Sequence, residues 1–438
     1  MKARLVPVYF DPGRDADFDK QLTTLQTLLA DVVEFLPPVA LGQPLPAAEA
    51  AVFPQFLGEA YRQADQFKQI HVPILILTSE FGTLSMWDWE IADYLRSQGV
   101  ATIAPYSLGQ TQIICRGLAV KRELQQTNFL VFQDNPGAGF QASIFKRFYW
   151  WEDECTQRML DKFGVTIVKR SFRELGAQAR LIPDHEAETA WSTRQIPTAG
   201  LPTPALRSAF KLYLAVRREM ERTPNVGAVG INCLNESHFS DTTPCLAWNL
   251  LFAEQQVLWG CEADTVSMLT KYILHKSLNV PIMMTNLYPF LMGQAALKHE
   301  RIAAFPAVEK PEDCLLVAHC GYLGVVPQSF ATEWTLRPKV LAIVDDNASA
   351  IDARLPTGAV TLAKLNGAMD KLTVVEGTLE RYAQYPGSDC LNGGVIRVPD
   401  GKRMMDRLTS HHYLLTTGHN VADIRLLGKV FGLEIEGI

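Results

Sequence analysis

No two cysteines of this chain stand at C-x-x-C spacing. Cys115, Cys155, Cys233, Cys245, Cys261, Cys314, Cys320 and Cys390 are scattered through 438 residues. That argues against a disulfide framework or a structural zinc module, and predicts buried thiols acting as small apolar groups. Basic blocks are missing too. Lys and Arg number 41 against 47 Asp and Glu, and nowhere do they mass, so a nucleic-acid footprint is excluded. No uninterrupted apolar run approaches membrane-spanning length. The N-terminal MKARLVPVYFDPGRDADFDK lacks the apolar core and small-residue cleavage site of a signal peptide. The expectation is a cytoplasmic protein with neither membrane nor nucleic acid as partner. G-x-S-x-G elbows and P-loops are also absent.

What is present is a folded composition, 47% hydrophobic and 20% charged. Chain length predicts about two or three domains with substantial cores. RLVPVYF (4–10) is a short apolar run, followed by helical patterning at 16–35. IHVPILILTSEFG reads as a buried strand, EIADYLRSQG as a helix closed by Gly99, and VATIAPY as the next strand. Alternation of this kind favours a parallel sheet covered by helices. The rhythm restarts at residue 128, where a strand, a loop bearing Gly137 and Gly139, a helix and a second strand make a βαβ unit. A dinucleotide reading fails there, because the fingerprint is incomplete and the second strand ends in Lys169 and Arg170 rather than an acid. A close backbone turn explains both glycines. NVGAVGINCL, VLWGCE and NVPIMMTNLY continue the strands of this second domain. The last third is different. CLLVAHCGYLG, VLAIVD, GAVTLAKLN, KLTVVEGTLERY and GGVIRVPD are short strands separated by turn residues, without helical spacing between them. The fold expected is α/β: two parallel-sheet α/β domains at 1–125 and 126–305, then an antiparallel β-barrel-like domain at 306–438 with a terminal helix at 420–432.

Ligands of open parallel sheets bind beyond the carboxyl ends of the strands. Three loops of the second domain sit there, LNESHFSDTTP, GCEAD and TNLYP. They offer Glu236, His238, Asp241, Glu262, Asp264 and Asn286. The barrel-like third adds His319 and the pair His411–His412. A carboxylate, an amide oxygen and two imidazoles suit a divalent transition metal such as manganese. WGCEADTVSMLTKYIL reads as the opening of a helix, so Asp264, two positions from Glu262, points elsewhere and reads as a solvated first-turn acid. Adjacent histidines in a strand face opposite ways, so at most one of His411 and His412 faces the site. FYWWEDE places aromatics in a helix as core or subunit contact. Trp87 and Trp89, in SMWDWE, form a sugar-stacking wall or a subunit contact.

The segments TPCLAWNLLFAEQQVLWGCEADTVSMLT, VAHCGY, GAVTLAKLN, VVEG, CLNGGVIRV, SHHY and VFGLEIE, in this order, resemble the L-fucose isomerase / L-arabinose isomerase superfamily. The resemblance covers roughly the last two-thirds of the chain. It implies two α/β domains and a barrel, a homo-oligomer, and metal-dependent interconversion of aldoses and ketoses, usually with Mn²⁺. Carried over, Glu262 is the catalytic and metal-binding glutamate, His319 a histidine ligand of the arabinose branch, and His412 the C-terminal histidine ligand. Glu236, His238, Trp87 and Asn392 stand as substrate contacts. Asn286 occupies the place of a second catalytic acid. An amide can ligate through oxygen but cannot titrate, so either another group such as Glu236 or His238 substitutes, or the isomerase reaction is altered or lost.

Overall fold

The computed structural model describes residues 1–10, 13–55, 57–134, 149–292, 307–385, 388 and 391–438. Gly137 and Gly139 lie outside them. The fold is α/β, with two parallel sheets and a closed antiparallel barrel. Backbone contacts divide it into two compact units.

The first unit comprises residues 1–123, 276–279 and 422–433. Its sheet contains β1 (Ala3–Tyr9), β2 (Val33–Phe35), β3 (Val39–Ala40), β4 (Ala50–Phe53), β5 (Ile74–Ile76) and β6 (Thr102–Ile103). The path runs β2-β1-β4-β5-β6, with β3 beside β1, and every pairing is parallel. Such strands are covered on both faces, which is why they read as continuous apolar runs. The helix Ala16–Leu28 starts where Asp15 accepts the Phe18 amide at 2.8 Å. It ends well before residue 35, since β2 follows. The helix Trp89–Ser97 is closed by Gly99, at φ +82°. The terminal helix, Val421–Phe431, falls largely in this unit rather than with the barrel.

The second unit holds the other sheet and the barrel. β7 (Asn128–Phe132), β8 (Thr166–Arg170), β9 (Val226–Ile231) and β10 (Leu258–Cys261) form a parallel sheet in the order β10-β9-β7-β8. The helix Cys245–Gln255 is apolar all round, and its first eight residues are buried.

β11 (Ile282–Pro289) departs from the sequence reading. It pairs antiparallel with its neighbours and belongs to the barrel, not to the parallel sheet. A strand buried on both faces reads the same in either setting. After β12 (Cys314–Ala318) comes a separate hairpin of β13 (Glu333–Pro338) and β14 (Ser349–Arg354). The chain then adds β15 (Gly358–Leu365), β16 (Lys371–Ala383), β17 (Gly393–Arg397) and β18 (His412–Thr417). Pairings β15-β18-β11-β12-β17-β16 are closed by β15 on β16, and β19 (Glu434–Gly437) joins β16 in parallel. One helix was not legible here, Gly401–Arg407, whose start Asp400 caps by accepting the Arg403 amide at 2.9 Å.

Candidate functional site

Glu262 is not in a helix. It follows β10 directly, at φ +53°, and Ala263 is at φ +50°. Two consecutive left-handed residues without glycine are uncommon and locally costly. The helix begins only at Thr265, and Asp264 caps it by accepting the Ser267 amide at 2.8 Å. Gly260 and Gly230, opposite each other in β10 and β9, let this turn lie close. A Cβ on Gly260 would stand 2.4 Å from the Met268 side chain and 3.1 Å from the Asp264 carbonyl. Trp151 donates its indole N–H to the Glu262 carbonyl at 2.9 Å, and Thr265 Oγ1 donates to the Trp150 carbonyl. Trp150 and Trp151, in a short 3₁₀ helix (Tyr149–Trp151), are therefore core that clamps the Glu262 backbone.

The barrel delivers the histidines to one end of three neighbouring strands. Asn286 of β11 lies opposite His412 of β18 and Ala318 of β12, with His319 next in sequence. Asn286 is thus within a barrel strand, not in the strand-end loop of a parallel sheet.

Asp264 overturns its reading as a solvated acid. It is 0% exposed. Its Oδ2 takes His412 Nδ1 at 2.9 Å, Lys364 Nζ at 2.9 Å and Ser267 Oγ at 2.8 Å. With Glu262 and Ala263 left-handed, helical spacing does not apply across the turn. Asp264 accordingly fixes the ring of His412, whose Nε2 faces Glu262 Oε1 across 3.5 Å. That nitrogen is buried and makes no hydrogen bond among the described residues. The Trp150 ring lies 5.3 Å from that of His412.

Electrostatics follow this arrangement. Burial pushes the Glu262 carboxyl up, but His412, then His319 and His411, outweigh it and hold it at about 2. Burial lowers His412, yet Glu262 and Asp264 raise it to about 9. Burial also opposes ionisation of Asp264, and Lys364 followed by His412 holds it far below the usual carboxylate range. Burial and the charge of His412 lower His411 to about 4.

The ligating atoms of Glu262, His411 and His412 all lie within 4.8 Å of one another. Both histidines of the pair reach the site, contrary to the strand argument, because β18 begins only at His412. His319 falls in a second group of the same compactness, with Cys261 and Cys320. Its ring stands edge-on to that of His412, 5.5 Å between centroids. Its Nδ1 meets Asn286 Oδ1 at 3.3 Å, and Asn286 Nδ2 donates to Tyr288 at 3.1 Å.

Other expected contacts have structural occupations. Glu236 is buried, and its carboxylate accepts the Asp134 amide and Asn232 Nδ2, tying the ends of β7 and β9. His238 is exposed against Phe239. Asp241 pairs with Arg180. Asn392 accepts the Tyr385 amide and donates to the Ser388 carbonyl. Trp87, 70% exposed, belongs to the first unit.

Sequence reasoning missed Lys364 and the burial of Asp264. A signal existed for each. Lys364 interrupts the apolar alternation of GAVTLAKLN, and D-T-V-S at 264–267 is a helix-start pattern.

No family model matches this chain, and no curated protein matches it. Among solved structures it is similar to a LacI family transcription regulator from Clostridium acetobutylicum, at 10% identity over 62% of this chain and 93% of that one. The TM-score of 0.14 carries no argument about fold or function. Among the described residues, no helix is long and apolar enough to cross a membrane.

Proposed function

We propose that the chain is a divalent-metal-dependent aldose–ketose isomerase of the L-fucose / L-arabinose isomerase kind, cytoplasmic and homo-oligomeric. The supporting observation is the setting of His412. Lys364 neutralises Asp264, Asp264 binds Nδ1, and the buried Nε2 is left facing Glu262 across 3.5 Å. A carboxylate that fixes the far nitrogen of an imidazole is the usual outer partner of a metal-binding histidine. Glu262, His412 and His411 fit a manganese-class ion in donor type and compactness. When bound, the ion would supply Lewis-acid polarisation of the sugar's carbonyl and neighbouring hydroxyl.

The protein's own share falls chiefly to Glu262. It is ionised at neutral pH, as a base must be, and would carry the proton between C1 and C2 of an open-chain sugar. Asp264 and Lys364 hold His412 in one orientation. Buried Trp150 and Trp151 fix the Glu262 backbone, so the carboxylate keeps its place.

A second reading is a sugar-binding or differently catalytic relative. It is favoured by Asn286, which cannot titrate and whose amide is engaged at both ends, by His319 and Tyr288. Turnover on a panel of aldoses with Mn²⁺ separates the two. Brisk isomerisation supports the first. Manganese binding without turnover, with Asn286→Asp raising the rate, supports the second. Absence of manganese binding at Glu262 removes both.

A further inference from the structure

The turn that carries Glu262 also carries Cys261, the last residue of β10. Cys261 Sγ, Cys320 Sγ and a ring nitrogen of His319 all lie within 4.8 Å of one another. In a tetrahedral zinc site, bonds of about 2.3 Å place two sulfurs about 3.8 Å apart, so small side-chain adjustments close this group on an ion.

Two further observations aim these atoms. His319 is buried, its Nδ1 lies against Asn286 Oδ1, and its Nε2 has no hydrogen-bond partner among the described residues. A ring held through one nitrogen with the other left bare is the arrangement of a metal-binding histidine. Cys320 is at φ +56° and Gly321 at φ +85°, in a turn closed by the Tyr322 amide on the His319 carbonyl at 3.3 Å. Such turns favour Asn, Asp or Gly at the first central position. A cysteine there is a poor local choice, and strain of this kind marks a side chain placed for another purpose. Cys245, Cys261 and Cys320 are free thiols, and the Cys320 thiol is hydrogen-bonded to both Cys245 and Cys261.

We infer that Cys261, Cys320 and His319 form a second metal site, for a borderline-soft ion of the zinc type, beside the Glu262 site and separate from it. Two thiolates and an imidazole select zinc over manganese. Cys245, whose thiol meets that of Cys320, offers a further sulfur. The site also gives Asn286 a task, holding His319 rather than moving protons.

Metal-stripped full-length protein, kept reduced, is titrated with Co²⁺ as a spectroscopic probe and then with Zn²⁺. The expected result is a thiolate-to-cobalt charge-transfer band saturating at one equivalent and displaced by zinc. Cys320→Ser should abolish the band, and His319→Gln should weaken binding by about 10–100-fold. Glu262→Gln should keep it, which separates this proposal from the isomerase reading. Alkylation mapping on the wild-type chain guards against a misfolded variant: zinc should protect Cys261 and Cys320. Absence of the band with both thiols reduced, unchanged alkylation, or a Cys261–Cys320 disulfide under reducing conditions would overturn the proposal.

Discussion

The two parallel sheets finish their strands in opposite ways. Beyond β5 and β6, the first sheet puts out Phe81, Met86, Trp87, Trp89 and Tyr106, all more than half exposed. Four of these five, Trp87 excepted, help line an open cavity of about 540 Å³ that has few charged groups. Beyond β10, the second sheet puts out Glu262 and Asp264, both buried and both engaged by residues a hundred or more positions away. Strand topology locates the loops in both cases. It does not locate the chemistry. That requires opposite charges brought from elsewhere to meet the turn, and within this unit the barrel supplies them through Lys364 and His412.

The largest effect should come from removing the Glu262 charge. Glu262→Gln is nearly isosteric, so the turn should survive. On the isomerase reading, turnover should fall by about 10²–10⁴-fold, the usual contribution of one proton-transfer group. Trp89→Ala, at the other sheet's strand end, should leave stability nearly unchanged. Unaltered turnover in Glu262→Gln would break the contrast between the two regions.

Next is Asp264→Asn. It leaves the Lys364 ammonium fully buried with its carboxylate gone, a class of change that costs about 3–5 kcal/mol. Urea or guanidinium unfolding should show this as a lowered midpoint. Adding Lys364→Met should recover a large part, because the stranded charge is then removed as well. A cost below about 1 kcal/mol for the single variant would mean that water reaches the pair.

Stability in metal-free buffer should also respond to pH, with signs set by the same cluster. Glu262 falls from an ordinary 4.5 to about 2 on folding. Its contribution is present above its unfolded value and lost as pH falls through about 2. His412 rises from 6.5 to about 9, so its contribution is complete below its unfolded value and lost as pH rises through about 9. Thermal unfolding should therefore peak between about pH 5 and 6.5 and decline on both sides. Glu262→Gln should flatten both limbs, since His412 then loses the charge that raises it most.

How much of this was legible depends on range. Strand and helix alternation is local, so both parallel sheets, the barrel and the helix closed by Gly99 could be read from spacing. Glu262 and the histidine pair could be singled out because strand ends and adjacent histidines are local signals. Asp264 could not be read correctly, because helical spacing does not hold across 262–264, where the left-handed Glu262 and Ala263 break it. β11 was assigned to the wrong sheet because two-sided burial erases alternation. The meeting of Cys261 with Cys320 was invisible for a third reason. Cysteine spacing along the chain finds zinc modules built on one loop or knuckle, whereas these thiols come from a strand end and a tight turn 59 residues apart, as their numbers 261 and 320 show.

The smallest effect should be at Trp87, and its neighbour makes the test sharp. Trp87 is 70% exposed, and Asp88 is 0% exposed, with Oδ1 accepting the Leu57 amide at 3.0 Å. Trp87→Ala removes a large side chain that is mostly in water, so unfolding free energy should change by less than about 0.5 kcal/mol. Asp88→Ala strands a buried backbone N–H and should cost about 1–3 kcal/mol. Urea midpoints measured side by side compare the two positions with the same fold as background. A cost above about 1 kcal/mol for Trp87→Ala would show that its ring is covered in solution. The aromatic strand ends would then be as engaged as the charged ones, and the contrast between the sheets would shrink to the identity of the buried groups.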